Sequence, residues 1–509
     1  MSTRTDREAL MKRRAPLEME PDEFREVGHR LVDEIAAQLS TLKKRPVTPA
    51  PSLAEVQQAL GAEDPLPETG TAAGPLLSRA VDLLFEHSLF NGHPRFFGYI
   101  TSSAAPIGAF GDFLAAAVNP NVGSWQLSPM ATEIEAQSVR WIAQLIGFPP
   151  ACGGLLVSGG NMANFVCFLT ARAAKATWDI RQKGLADDSA RRLRVYASQE
   201  THTWIQKAAD LFGLGTDAIR WVEVDKRQRM DVAALRHQIE DDRSHGDLPF
   251  LVVGTAGSVS TGAVDPLPEI AAICREYDLW FHVDGAYGAL AAQVPGGSAD
   301  LQGLSEADSV AVDPHKWLYA PLEAGCALVR HPRRLRDAFS YHPPYYQFDE
   351  QATNYFDLGL QNSRGFRALK VWLALRQAGR SGYMRMIADD IRLAQQLYNL
   401  VAQHSSLEPL TQSLSITTFR YVPSDLRPKL GSEKIEAYLN SLNQALLARI
   451  ETSGQAFLSN AVVAGRFALR ACVVNFRTSL EDIEALPELI AGFGQKSDAE
   501  LRGEDDAGE

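Results

Sequence analysis

The stretch Leu279-Trp280-Phe281-His282-Val283-Asp284-Gly285-Ala286 decides how this chain is read. A short, mostly apolar run ends on a carboxylate and two small residues. Its length and its aromatic and β-branched content predict a strand, and the scarcity of polar alternation predicts that both faces are covered. A carboxylate at the end of such a strand is costly to desolvate unless a cation or hydrogen-bond donors meet it. Gly285 and Ala286 leave room for something flat to pack beside it.

The same pattern recurs on either side. Residues 154–157 form an apolar run followed by Ser158-Gly159-Gly160-Asn161, and then Met162, Phe165, Val166 and Leu169 fall at helical spacing. Further short strands are expected at 194–197, 250–253, 309–312 and 326–329. Strands alternating with helices predict an α/β architecture with a mostly parallel central sheet, and ligands on such sheets bind beyond the carboxyl ends of the strands. From about residue 376 the order changes: a helix at 389–404 precedes strands near 415–419 and 468–474 and a closing helix, as in a smaller α+β unit. At the other end, Phe24, Val27, Leu31, Ile35 and Leu39 repeat at helical spacing within 15–45, and the proline-rich run 45–51 stops that helix. Such an amphipathic arm must bury its stripe on its own chain or on another subunit.

Composition bounds the function. With 45% hydrophobic and 22% charged residues, the 509-residue chain reads as globular. Its net charge of −12 disfavours nucleic acid as a partner. The residues from Ser497 on hold six acids against one arginine, so 496–509 is expected to be a disordered acidic tail. The most apolar stretch, 107–118, is too short to span a membrane and holds Asp112, so it is expected to be a buried helix. Five cysteines without a CxxC pair suit a reducing compartment, and the basic N-terminus has no apolar segment behind it, so a cytoplasmic protein is expected.

Four strand ends carry chemistry. Ser158-Gly159-Gly160-Asn161 opens a helix, where free N–H groups and the dipole favour an anion. Asp284 ends its strand with no partner evident in the sequence. Lys316, in Asp313-Pro314-His315-Lys316-Trp317, follows another strand, and a buried lysine is a candidate nucleophile. His202, in Ser198-Gln199-Glu200-Thr201-His202, follows a third, and no second ligand stands at metal spacing. An anion cradle, a carboxylate, an amine and a flat imidazole together match the needs of pyridoxal 5'-phosphate.

These residues resemble the pyridoxal-phosphate-dependent group II amino-acid decarboxylases, the family of the aromatic-L-amino-acid, histidine and glutamate decarboxylases. The resemblance rests on Pro94-Arg95-Phe96-Phe97-Gly98-Tyr99, Ser128-Pro129, Ser158-Gly159-Gly160-Asn161, His202, His282-Val283-Asp284-Gly285-Ala286-Tyr287, Pro314-His315-Lys316-Trp317 and the segment 469–478. It implies the fold type I of these enzymes, with an N-terminal helical arm (1–90), a large cofactor-binding domain (91–375), a small C-terminal domain (376–495) and the tail (496–509). It implies Lys316 as the Schiff-base lysine, Asp284 as partner of the ring nitrogen, Ala286 and His202 on the two ring faces, and Gly160, Asn161 and His315 at the phosphate. Tyr345 falls where the family keeps a loop tyrosine that protonates the substrate carbon, Arg364 matches an arginine near that loop, and Tyr99 is a substrate-contact candidate. It also implies a homodimer wrapped by the arms.

The expected reaction is decarboxylation of an L-amino acid, an aromatic one first, to its amine and CO2. Departures from the aromatic decarboxylases are Asn91, Ile100 and Gly123 in place of pocket aromatics, Val259 for a threonine and Asp313 for an asparagine. The alternatives on the same fold are an aldehyde synthase, an aminotransferase or a carbon–carbon lyase. The aldehyde synthases tend to lose the loop tyrosine or the stacking histidine, and this chain keeps Tyr345 and His202.

Overall fold

The computed structural model describes residues 4–13, 15–341 and 352–506. Seven strands form the main sheet: β1 (Gly153–Val157), β2 (Leu193–Ser198), β3 (Ile219–Val222), β4 (Leu248–Thr255), β5 (Trp280–Asp284), β6 (Ser309–Val312) and β7 (Gly325–Val329), in the order β1-β7-β6-β5-β4-β2-β3. Strands β2 to β6 pair in parallel, and β7 runs antiparallel between β1 and β6. Side chains alternate between two buried layers: Leu251 and Val253 join one, Val252 the other, and in β6 Val310 and Ala311 divide the same way. Burial on both faces explains why these strands read as continuous apolar runs. Strand β3 was not expected. Its sequence, Ile-Arg-Trp-Val, sits at the sheet edge with its two central residues only half-buried.

The second sheet is antiparallel, with β8 (Leu407–Ser413), β9 (Ile416–Tyr421), β10 (Ser459–Val463) and β11 (Arg466–Cys472) in the order β10-β11-β9-β8. Its core, built on Phe419, Leu439, Leu442 and Leu469, takes in Phe97, and Phe96 bridges to Phe457. The segment around Phe97 therefore packs with the small unit, although it precedes the main sheet in the chain. One helix, Ala368–Gln403, crosses between the units and bends where Gly379 adopts φ 63°, ψ 171°.

Two expectations need correction. The acidic end is helical: Leu486–Asp506 is one helix, and its acids have found cations. Arg502 donates to Asp425 and Asp498, Tyr438 donates to Asp498 at 2.6 Å, and Arg449 pairs with Glu500. Each exposed pair is worth little alone, but Leu501 also packs against the small unit's core. The second correction concerns the helix Pro106–Val118. Only Gly108 and Gly111 are buried, because they let the helix back onto Pro321 and Lys370. Phe113, Leu114 and Val118 are exposed. The helix Pro21–Thr41 likewise buries only Val27 and leaves Phe24, Ile35 and Leu39 open. No helix among the described residues is long and apolar enough to cross a membrane.

Candidate active site

The carboxyl ends of β1, β2, β4, β5 and β6 surround a cavity of about 200 Å³. Gly160, Asn161, His202, Asp284, Ala286, His315 and Lys316 all line it, joined by Ile100, Asn164, Glu200, Val259 and Asp313. A larger cavity, of about 720 Å³, lies against β1 between Arg140, Cys152 and Arg333 and holds none of these groups.

Each wall has a local cause. Two residues past β1, Gly159 has a φ of 86° that turns the chain into the helix Gly160–Lys175. The backbone of Gly159 lies so close to Gly325 that a Cβ there would come within 2.4 Å of it. The N-cap residue, Gly159, has no side chain to cap this helix, and Gly160 and Asn161 line the cavity, so the helix start favours an anion there. Asp284 is buried, and Trp204 donates its indole N–H to Oδ2 at 2.7 Å while the Ala286 N–H lies 3.3 Å from Oδ1. Trp204 also donates its backbone N–H to His202 Nδ1 at 3.3 Å, which orients the imidazole. Burial is the main influence on His202 and pushes its pKa down, with Asp284 pulling the other way.

Behind the carboxylate, His282 is held between Asn164 Oδ1 at 2.7 Å and Ser309 Oγ at 2.9 Å, and burial takes its pKa down to about 4, so it is neutral. Lys316 Nζ lies 3.1 Å from Asp313 Oδ2. His315 Nδ1 donates to Ala324 O at 2.6 Å, which fixes the ring beside the helix start, and burial lowers its pKa. Glu200 accepts from Ser260 on the opposite rim.

The remaining predicted residues fall elsewhere. Tyr345 lies outside the described residues. Tyr99 is exposed, at φ 50°, with its ring tilted against Phe457, and it does not line the cavity. Arg364 is buried but committed: its guanidinium pairs with the fully buried Glu135, donates to Val122 O at 2.9 Å and Leu156 O at 2.6 Å, and lies over the Tyr355 ring. It ties the segment after the loop to β1, a structural task in place of the expected substrate contact.

One residue entered the sequence reading only within the segment 469–478 and was given no role there. Arg470 on β11 is 2% exposed and pairs with no carboxylate among the described residues. Nη1 donates to Tyr99 O and Ser459 Oγ, both at 3.0 Å, while Nε and Nη2 have no partner. Its charge reaches Tyr287, on the cavity wall, and Cys472. An arginine inside the apolar run Ala468–Val474 was the available signal, and its burial is what makes it stand out.

Comparison with known proteins agrees with this geometry. Residues 69–422 match the pyridoxal-dependent decarboxylase conserved domain. The chain is 34% identical over 472 residues to an aromatic-L-amino-acid decarboxylase of Bacillus atrophaeus, covering 92% of this chain and 94% of that one. It is similar in fold to a Catharanthus roseus tryptophan decarboxylase solved with L-tryptophan (TM-score 0.84, 26% identity, 95% of this chain and 100% of that one). A Rhodiola rosea 4-hydroxyphenylacetaldehyde synthase is similar as well (TM-score 0.83, 27% identity, 94% and 99%). The converging strand ends, the sequence profile and the shared fold lead to one conclusion: this chain belongs to the family of pyridoxal-dependent decarboxylases.

Proposed function

We propose that the protein removes CO2 from an aromatic L-amino acid and releases the amine, using pyridoxal 5'-phosphate in the cavity between β1, β5 and β6. The observation that carries this reading is the meeting of an amine (Lys316), an uncompensated carboxylate (Asp284) and an uncapped helix start (Gly160) in one small cavity. The residues fit the cofactor on independent grounds. Asp284 is a buried anion with no cation partner among the described residues, the position a protonated ring nitrogen would satisfy. The N–H groups at Gly160 and Asn161, with His315, suit the phosphate, and Ala286 and His202 suit the two ring faces. When bound, the cofactor supplies an electron sink for the pair left behind as CO2 departs.

The chain's own share is binding, orientation and proton handling. Lys316 Nζ is the amine that would hold the cofactor, with Asp313 Oδ2 3.1 Å away to orient it. Arg470 lies outside the cavity lining, and its charge, which reaches Tyr287 on the wall, is read as favouring a carboxylate there. Ile100 and Val259 give the substrate an apolar wall. Tyr345, with His202 as its alternate, is read as the proton donor to the substrate carbon. The exposed apolar residues of Pro21–Thr41 and Pro106–Val118 support a homodimer, because a contiguous patch of this kind is a normal interface signal. Five unpaired cysteines, four of them buried, suit a cytoplasmic enzyme.

The second reading is an oxygen-using aldehyde synthase, which the Rhodiola likeness keeps open. Product analysis separates the two. Tryptophan, tyrosine, phenylalanine, histidine and glutamate would be offered to the cofactor-loaded enzyme, with amine, CO2, peroxide and aldehyde measured. We expect equimolar amine and CO2 from an aromatic substrate. Peroxide and aldehyde in place of amine would select the second reading, and turnover of glutamate alone would overturn the aromatic assignment.

A further inference from the structure

Asp390 lies on the helix Ala368–Gln403, beyond its bend, and is 2% exposed. Its carboxylate faces the turn that follows Lys316. Oδ2 accepts from the Trp317 indole N–H at 2.8 Å and from the Tyr319 hydroxyl at 2.7 Å, and the Asn475 backbone N–H also bonds to the carboxyl group. No cation pairs with it among the described residues. On the same helix Tyr383 donates to Leu318 O at 3.0 Å. All three residues after Lys316 are thus hydrogen-bonded to the one helix that crosses between the units.

Two further features show that this turn needs holding. Tyr319 sits at φ 54°, a left-handed conformation that costs about 1 kcal/mol or more for a residue with a Cβ. The indole of Trp317 stacks on Tyr287 with ring centres 4.6 Å apart, so a shift of the turn would disturb the cavity wall as well. A buried carboxyl group without a counter-ion is an expensive way to fill space, and an aliphatic side chain would fill it more cheaply. What a carboxyl group offers that leucine does not is an oxygen that accepts from Trp317 and Tyr319 together.

We infer that Asp390 is a positioning residue for Lys316: by gripping Trp317 and Tyr319 it sets where the lysine amine stands relative to the cofactor, and it makes that placement depend on the docking of the small unit. This rests on the reading of Lys316 as the cofactor amine.

The test uses the full-length holoenzyme and the variants Asp390→Leu, Asp390→Asn and Tyr319→Phe. Asn443→Ala serves as a control, a buried hydrogen-bonding change in the small unit remote from Lys316. Four quantities would be measured: cofactor affinity, the pH midpoint of the cofactor–lysine absorbance, kcat and KM separately, and melting of the apoprotein. We expect Asp390→Leu to lower kcat about tenfold or more with little change in KM, as misplacement of a reacting group does. The absorbance midpoint should move by about half a unit or more.

Asp390→Asn and Tyr319→Phe should shift the same quantities less, and their double variant should fall short of the sum because they share one network. The control should lower melting and leave the midpoint alone. If Asp390→Leu does not fold, the two milder variants carry the test. Wild-type midpoint and kcat in both of them, or an equal shift in the control, would overturn the positioning role. Lys316→Ala separates the two layers. Retention of the bound-cofactor absorbance there would overturn the lysine assignment itself, whereas its loss beside unmoved Asp390 variants would overturn only the inference.

Discussion

At the scale of single residues, the site is a set of charges arranged so that few of them are satisfied within the chain. Among the described residues Asp284 has donors but no cation and Arg470 has acceptors but no anion, whereas Lys316 and Asp313 answer one another. The neutral His202 is part of this arrangement, and its protonation gives a pH prediction. Burial depresses the imidazole below its usual value of about 6.5, so acidification must go further than usual before it gains a proton. If the neutral ring is the competent form, the acid limb of kcat/KM lies below pH ~6.5. His202→Gln should remove that limb and lower kcat/KM about a hundredfold. A profile from pH 5 to 9 checks this, and an acid limb at or above ordinary imidazole, unchanged in the variant, would contradict it.

Asp284, His202 and Lys316 were legible because each follows an apolar strand in the sequence. Arg470 and Asp390 were not. Both gain meaning only from being buried, and Asp390 acts on a turn that precedes it by more than seventy positions in the chain.

At the scale of elements, the fully buried strands announced themselves and the half-exposed ones did not. β4, β5 and β6 are buried and mostly apolar, whereas β3, β8 and β10 alternate or sit at an edge and resemble loops. The helix Pro106–Val118 misled for a related reason. Its composition says buried, but this chain fully buries only its glycines, and Phe110, Phe113, Leu114 and Val118 stay exposed. Phe24 of the arm already stacks on Phe113, ring centres 6.2 Å apart, which extends the open surface across two helices.

A second copy of the chain is the cover proposed above. Placing charges at Leu114 and Val118, one helical turn apart, should weaken association by about a hundredfold or more if both are desolvated there. Sedimentation of Leu114→Asp/Val118→Asp beside the wild type measures it. The variant should be monomeric at micromolar concentration, and a wild type that is itself monomeric would refute the proposal.

At the scale of the whole molecule, the catalytic proposal draws on both units at once. The main sheet supplies Gly160, His202, Asp284 and Lys316 at its carboxyl edge, the small unit adds Arg470 outside the lining, and the helix that crosses between the units grips the lysine turn. Tyr287 adds another tie, its hydroxyl 2.6 Å from Ser415 Oγ at the start of β9. Charge at this scale is a poor guide to function. Five of the twelve net negatives fall in the last thirteen residues, where Asp498 and Glu500 pair with Arg502 and Arg449 and not with the site. The α/β plan and its companion domain were readable from periodicity, and the domain edges were less so, because the segment around Phe97 joins a core that lies more than three hundred residues later.

The central claim is that Lys316 carries the cofactor, and chemical trapping tests it most directly. The pyridoxal-phosphate-loaded enzyme would be reduced with borohydride, digested, and its modified peptide sequenced by mass spectrometry. We predict a single stable adduct on Lys316, with loss of the visible absorbance and of CO2 release, and no adduct in Lys316→Ala. An adduct on another lysine, or undiminished decarboxylation by Lys316→Ala, would contradict it.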